Sequence, residues 1–131
     1  MNQPPKILCD AERLCVEAMK IHDKLPNNLK RAIGGPLMRC VVEGGAAIVA
    51  GYRATYSQAK ERNYAEAQEY LDRVEFIKEA VLVTNKISAA EKAVFDNRFL
   101  EVQRQLRGLR NSLNNKTRPV PSGNAGGESL R

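Results

Sequence analysis

Apolar residues recur at alternating spacings of four and three in the first part of the chain, a pattern typical of a helix that buries one face. This segment runs from about 5 to 24, and the prolines at its start suit helix entry because a first-turn proline loses no helical hydrogen bond. Pro26 then ends the helix, since proline disfavours helix at the residue before it. The apolar positions are Ile7, Ala11, Leu14, Ala18, Ile21 and Leu25.

A second helix is predicted over about 28–60, the longest of four. The run Gly34-Gly35-Pro36 interrupts its apolar stripe, and because an interior proline removes a hydrogen bond we expect a kink or a restart there. Its later half is rich in glycine and alanine, which indicates close approach by another helix. Tight packing within one chain and a subunit interface both account for this composition. The residues predicted to contact a second subunit are Gly44, Ala47, Gly51 and Ala54.

A short loop near 57–63 is predicted to separate the second helix from a third. Asn63 and Glu66 have the spacing of an N-cap residue and its capping-box acceptor, so the third helix is expected over 64–84. Its buried side is predicted to include Ala67, Leu71, Val74 and Val81.

The fourth helix, predicted over 89–114, begins at the strongest local signal in the chain. Ser88 and Glu91 form a capping box, in which each side chain satisfies a backbone N–H of the other residue. The apolar positions of this helix repeat with a period of about 3.5 residues, which indicates bundle-like packing. Four helices with short connections predict an all-α fold, an antiparallel up-down-up-down four-helix bundle.

The length of 131 residues fits one domain, and composition divides it into three parts. We expect a flexible N-terminus over 1–7, the bundle over 8–114, and a disordered basic tail rich in glycine, proline and serine over 115–131. No apolar run approaches the ~20 residues that span a bilayer. The N-terminus lacks the charged and apolar regions of a secretory signal. The sequence therefore predicts a cytoplasmic protein that does not contact membranes.

Charge is concentrated near the C-terminus. The chain has 21 Lys and Arg residues against 15 Asp and Glu residues, and 98–131 contain seven of the basic and two of the acidic ones. Such asymmetry favours an anionic partner, most often nucleic acid, although a solvated helix face with a solubilising tail is the alternative. Arg104, Arg107 and Arg110 stand three apart, so they are neighbours on the helix surface and form a basic ridge.

No arrangement of residues in the sequence supports catalysis. The chain has an odd number of cysteines, Cys9, Cys15 and Cys40, and no C-x-x-C pair, so a disulfide framework is not expected. His22 and these cysteines match no known spacing of zinc ligands. Phosphate-binding glycine loops and metalloprotease motifs are absent, and the acidic pairs of the third helix lie on its polar face. We therefore expect no enzyme activity, no cofactor, no metal and no small-molecule substrate.

Three stretches resemble a known family of small four-helix bundles. Leu25-Pro26-x-Asn28-x-Lys30-x-x-Ile33-Gly34 is similar to the P-x-S-x-R-x-x-L-G stretch that opens the family's second helix. Tyr70-Leu71-x-x-Val74-x-x-Ile77 followed by Lys86-Ile87-Ser88 resembles its third helix and I-S turn. Leu100-x-Val102-x-Arg104-x-Leu106-x-Gly108-Leu109 resembles its L-x-E-[IV]-G-R-x-L-G-G-W ending. Gln103 replaces the glycine before the arginine, and Leu109 stands where tryptophan is common. The family comprises the accessory variability determinant (Avd) proteins of diversity-generating retroelements and the related proteins of 23S ribosomal RNA intervening sequences.

The resemblance, which covers about 8–114, implies a non-catalytic protein that forms a homopentameric ring. Avd proteins bind nucleic acid and a reverse transcriptase and support mutagenic retrohoming, the copying of template RNA into variable DNA. When the family's motifs are placed on this sequence, Arg104 matches the arginine of the family's ending and Lys30 lies at a second position where the family has a basic residue. From charge alone we add Arg107, Arg110, Arg39, Arg53 and Lys116 as predicted nucleic-acid contacts. The alternative is an oligomeric protein-interaction scaffold of the intervening-sequence type with no nucleic-acid role.

Overall fold

The computed structural model describes residues 5–117, which form four helices and no strand. They are α1 (Lys6–Lys24), α2 (Asn27–Arg53), α3 (Ser57–Leu82) and α4 (Ala89–Thr117). The all-α prediction is confirmed.

Two predicted boundaries differ from the helix ends. The bundle begins before residue 8, because Lys6 and Ile7 already belong to α1 and the Ile7 side chain is buried in the core. At the other end α4 runs to Thr117, three residues beyond its predicted end, because 115–117 contain neither glycine nor proline. The rest of the predicted tail, 118–131, lies outside the described residues.

The core is built from the predicted apolar stripes. α1 packs on α2 and α4, and α3 packs on the same two helices, with the most extensive contact between α2 and α3. Every predicted position of the α1 stripe is buried. Leu109 of the predicted α4 stripe is partly buried, and its other positions are buried: Phe95, Phe99, Val102, Leu106 and Leu113. Spacing alone therefore identified the inward faces of both helices.

α2 continues through the glycine–proline run instead of breaking. Its first turn, Asn27–Leu29, leads into a π-helical turn over Lys30–Gly34, in which the Gly35 N–H donates to the Lys30 carbonyl, and the α-helix then continues over Gly35–Arg53. Because Pro36 has no N–H and its ring crowds the carbonyl four residues earlier, a wider turn before it keeps the helix continuous.

The predicted loop at 57–63 and the predicted cap at Asn63 are wrong. α2 ends at Arg53, seven residues before its predicted end, and α3 begins at Ser57. The Lys60 ammonium donates to the carbonyl oxygens of Gly51 and Tyr52 at 3.2 and 2.9 Å, which satisfies acceptors in the last turn of α2. Asn63 lies inside α3, where its amide donates to the Ala59 carbonyl at 2.9 Å.

The prediction that no segment is apolar enough to span a membrane does not hold for α2. By length and composition alone this helix could cross one. Its side chains Leu37, Val41 and Ile48 are buried in the core of the four helices. Because 39% of the apolar window is buried, packing in the core accounts for part of this composition.

The capping box at the start of α4 is confirmed. The Ser88 N–H donates to Oε1 of Glu91 at 3.0 Å, and the Glu91 N–H donates to Oγ of Ser88 at 3.1 Å. Glu91 is also ion-paired with Lys24, which ties the end of α1 to the start of α4. The hydrogen bonds from Lys24 and Ser88 lower the pKa of Glu91 to about 2.

This pKa shift predicts acid-dependent stability at the capping box. Because the pKa of Glu91 is lowered in the folded state, its ionised form stabilises the fold above its ordinary pKa of 4.5, and that contribution is lost as the pH falls toward about 2. Glu91→Gln should therefore be less stable than the parent chain at neutral pH, and the difference should shrink through this window. Urea denaturation at a series of pH values measures it. Glu79→Gln, an exposed change in α3, is the control, and a pH-independent difference for Glu91→Gln would contradict the assignment.

Candidate nucleic-acid interface

The predicted arginine ridge winds around α4 and meets a different neighbour at each step. Three residues turn an α-helix through about 300°, so each arginine lies about 60° behind the previous one. Arg104 pairs with Glu101, which is also bound by Lys6 of α1, whereas Arg110 donates to Oε2 of Glu61 on α3 at 2.6 Å. Arg107 lies between them, is exposed, and forms no ion pair with an acidic residue of the described chain.

Arg110 holds α4 against α3. Its side chain is partly buried, and its Nε and the second carboxylate oxygen of Glu61 are buried without hydrogen-bond partners. A charge-assisted contact of this kind is stronger than a neutral hydrogen bond, and separating the pair would leave a charge poorly solvated. The structure therefore gives Arg110 an interhelical role, and its predicted contact with nucleic acid stays a prediction.

Arg104 stands beside an ionic cluster that the sequence did not indicate. Asp10 of α1 is buried, and its Oδ2 accepts from Lys6 Nζ at 2.7 Å and from Gln105 Nε2 at 2.6 Å. Burial would raise the pKa of Asp10, but these hydrogen bonds outweigh it and hold the pKa below its ordinary value. Three cations, Lys6, Arg13 and Arg104, share two carboxylates here, so the cluster keeps net positive charge.

Two further arginines, one on α2 and one on α3, are exposed. Arg62 of α3 lines a hollow with Leu113 of α4, and Arg53 ends α2 beside the carbonyls that Lys60 binds. Neither arginine forms an ion pair with an acidic residue in the described part of the chain. Arg62 was missed because the predicted third helix began at Tyr64, and a start at Ser57 would have placed it on a helix. We name these exposed arginines the basic end; they are Arg53, Arg62, Arg104 and Arg107.

The other predicted contacts do not join the basic end. At a rise of 1.5 Å per residue, Lys30 lies about 35 Å and Arg39 about 21 Å along α2 from Arg53. Lys30 is half-buried in the π-helical turn, and Arg39 is exposed beside Arg73 of α3. The side chain of Lys116 lies outside the described part of the chain.

The predicted subunit-contact residues face α3 of their own chain. A Cβ on Gly51 would lie 2.5 Å from Cε1 of the buried Tyr64, and one on Gly44 would lie 3.3 Å from Cβ of Tyr70. Ala47 is buried between these two positions, and Ala54 is half-buried just after the end of α2. Gly44, Ala47 and Gly51 therefore present no surface to a second subunit, and close packing of α2 on α3 accounts for them.

The cysteines and the histidine are not brought together. Among residues 5–117 no group of three or more His, Cys, Asp or Glu side chains could hold a metal ion, and all three cysteines are unpaired. Burial raises the pKa of the Cys15 thiol, which disfavours its reactive thiolate form. His22 lies against Gly34, where a Cβ would be 2.8 Å from its ring carbon Cδ2. Tight contact between α1 and α2 therefore accounts for this histidine.

Comparison with known proteins does not extend the resemblance. No protein-family model matches the chain, and no curated protein matches it. The features of the chain that bear on its function are the charge and geometry of the basic end and the stretches that resemble Avd proteins.

Proposed function

We propose that the protein is a non-catalytic, cytoplasmic accessory subunit that binds RNA or DNA through the basic end. The observation that carries this proposal is that Arg53, Arg62 and Arg107 are exposed on three helices without an acidic partner among the described residues. Guanidinium groups so placed can contact phosphates, which position a strand without reading its sequence. Binding is therefore sequence-tolerant.

The partner and the process rest on the resemblance to Avd proteins. In this proposal a reverse transcriptase is the protein partner, and the subunit supports mutagenic retrohoming in a diversity-generating retroelement. It assembles as a homopentamer, and since the small-residue face of α2 is covered by α3, other surfaces must form the contacts between subunits.

We also infer an up-down-up-down arrangement of the helices. In each pair of neighbouring helices, the contact that lies nearer the start of one helix lies nearer the end of the other, as antiparallel helices require. Such an arrangement brings the end of α2, the start of α3 and the last part of α4 to one end of the bundle, where the basic end lies. The contacts are Lys6–Glu101 and Lys24–Glu91 between α1 and α4, and Gly34–His22 and Gly45–Ala11 between α2 and α1. Those of α3 are Gly51–Tyr64 and Gly44–Leu71 with α2, and Glu61–Arg110 and Lys78–Asp96 with α4.

Removing the two unpaired arginines that flank the Glu61–Arg110 pair tests nucleic-acid binding. Arg62→Ala with Arg107→Ala should weaken binding and lower the slope of log affinity against log salt, by about 1.4 for single strands and about 1.8 for duplex DNA if each arginine contacts one phosphate. Fluorescence anisotropy with labelled oligonucleotides at several salt concentrations measures both quantities.

A charge-matched variant is the control for this test. Lys20→Ala with Lys86→Ala removes the same charge from exposed positions outside the basic end, and its salt slope should stay at the parent value. Equal losses in the two double variants would show that net charge alone drives binding. Absence of binding by the parent chain at low salt would refute the proposed function.

A protein-interaction scaffold of the intervening-sequence type is the second candidate, and one observation favours it. Phe76 of α3 is 76% exposed and borders a groove between α2 and α3 that contains Pro36 and Ile77. Arg39 and Arg73 flank the groove, so an acidic protein surface could dock there. A protein partner that stays bound after nuclease treatment would favour this candidate.

A further inference from the structure

Two tyrosines are exposed where α2 gives way to α3, next to the basic end. Tyr56, the residue before α3, is 76% exposed, and Tyr52, in the last turn of α2, is 44% exposed. Exposed Arg53 stands between them in sequence. Aromatic rings alternating with cations are the composition by which proteins hold single-stranded nucleic acid.

Neither packing nor capping explains the ring at Tyr56. The residue is at the N-cap position of α3, where Ser, Thr, Asp or Asn is preferred because the side chain can accept from a backbone N–H. Tyr56 makes no such hydrogen bond, and its ring contributes little to the core because most of it is exposed. The ring is therefore available to a ligand.

Tyr52 borders a hollow that an aromatic ligand could enter. Lys60 Nζ lies 5.8 Å from the centre of its ring and also binds the Tyr52 carbonyl, which restrains this turn of the helix. The hollow has a volume of about 340 Å³, and Lys6 of α1 and Gly108 of α4 also line it. A Cβ on Gly108 would meet no atom within 4 Å, so this wall of the hollow is open.

We propose that Tyr52 and Tyr56 stack on unpaired bases, so that the protein binds single-stranded RNA or DNA in preference to duplexes. The inference rests on the proposed function and adds the class of nucleic acid. Exposed Arg53 would hold a phosphate beside the stacked bases. A duplex keeps its base faces stacked on one another, so the two rings add affinity for single strands alone.

Changing both tyrosines to leucine tests the proposal without altering charge. Tyr52→Leu with Tyr56→Leu should weaken binding of an oligothymidylate and an oligouridylate by about tenfold or more, since stacking of this kind is worth about 1–3 kcal/mol per base. Binding of duplex DNA of equal length should be unchanged, and so should the salt slope. Fluorescence anisotropy measures each arm, and the two single-stranded probes separate DNA from RNA.

Phe76→Leu is the matched control, because this ring is as exposed as Tyr56 but lies about 30 Å further along α3. It should leave all three affinities at the parent value. Tyrosine emission gives a second readout, since the chain has four tyrosines and no tryptophan. The quenching that a single strand causes in the parent should be largely lost in the double variant.

The outcomes separate this inference from the proposed function. A parent chain that binds neither strands nor duplexes overturns both. If the parent chain binds both forms, two results for the double variant overturn stacking and leave phosphate binding in place. In the first, the double variant keeps its affinity for single strands. In the second, it loses affinity for single strands and duplexes equally.

Discussion

Replacing Phe99 with alanine is expected to lower the free energy of unfolding by about 3–5 kcal/mol, the range for truncating a buried aromatic side chain. Phe99 is fully buried at the middle of α4. Its ring lies 6.4 Å from that of Phe95, with 11° between the ring planes. Both rings would lose contacts that the surrounding helices cannot restore by local collapse.

The face of the Phe99 ring also contacts a cation, which adds to the expected loss. Lys78 Nζ lies 5.1 Å from the ring centre and is paired with Glu75 at 3.2 Å and Asp96 at 3.3 Å. Burial would lower the pKa of Lys78, but the two carboxylates outweigh it and raise the pKa, so the ammonium stays charged next to the ring. Removing the ring takes away this cation–π contact.

An exposed phenylalanine provides the control for Phe99→Ala. Phe76→Ala removes the same atoms from the surface of α3, and its free energy of unfolding should stay within about 0.5 kcal/mol of the parent. Urea denaturation followed by circular dichroism measures both variants. Equal effects of the two changes would mean that the core is not centred on Phe99.

The elements that the sequence predicted correctly depend on local signals. The stripes of α1 and α4 place apolar residues at strict spacings of three and four, and Ser88 and Glu91 satisfy each other within one turn. The junction of α2 and α3 has no such signal, because 54–57 contain neither glycine nor proline. There the carbonyls of the last turn are satisfied by the ammonium of Lys60, which is nine residues beyond the Gly51 carbonyl that it binds.

The candidate site was predictable only in part, for a related reason. The spacing of the α4 arginines is a property of one helix and could be read directly. Whether each guanidinium is paired depends on the acidic side chains of neighbouring helices, and Arg110 is paired because Glu61 of α3 lies next to it. The exposure of Tyr52 and Tyr56 follows from where α2 ends, which the sequence placed seven residues too late.

Adding a single methyl group at Gly51 is expected to destabilise the protein, whereas adding one at Gly108 should stabilise it. A Cβ at Gly51 would lie 2.5 and 2.6 Å from two ring carbons of Tyr64, which is buried and cannot move aside freely. Overpacking of this kind costs about 1–3 kcal/mol. At Gly108 a Cβ meets nothing within 4 Å, so Gly→Ala should yield the helix-propensity gain of about 0.5–1 kcal/mol.

These two variants also test whether Gly51 of α2 serves packing within one chain or contact with a second subunit. If Gly51 serves packing within one chain, Gly51→Ala should lower stability at any protein concentration, and the native mass should not change. If the glycine instead contacts a second subunit, the native mass should shift toward smaller assemblies and the loss of stability should depend on concentration. Denaturation at two protein concentrations, together with native mass spectrometry of Gly51→Ala and Gly108→Ala, separates these results. We expect the first, because the ring of Tyr64 already occupies the space beside Gly51.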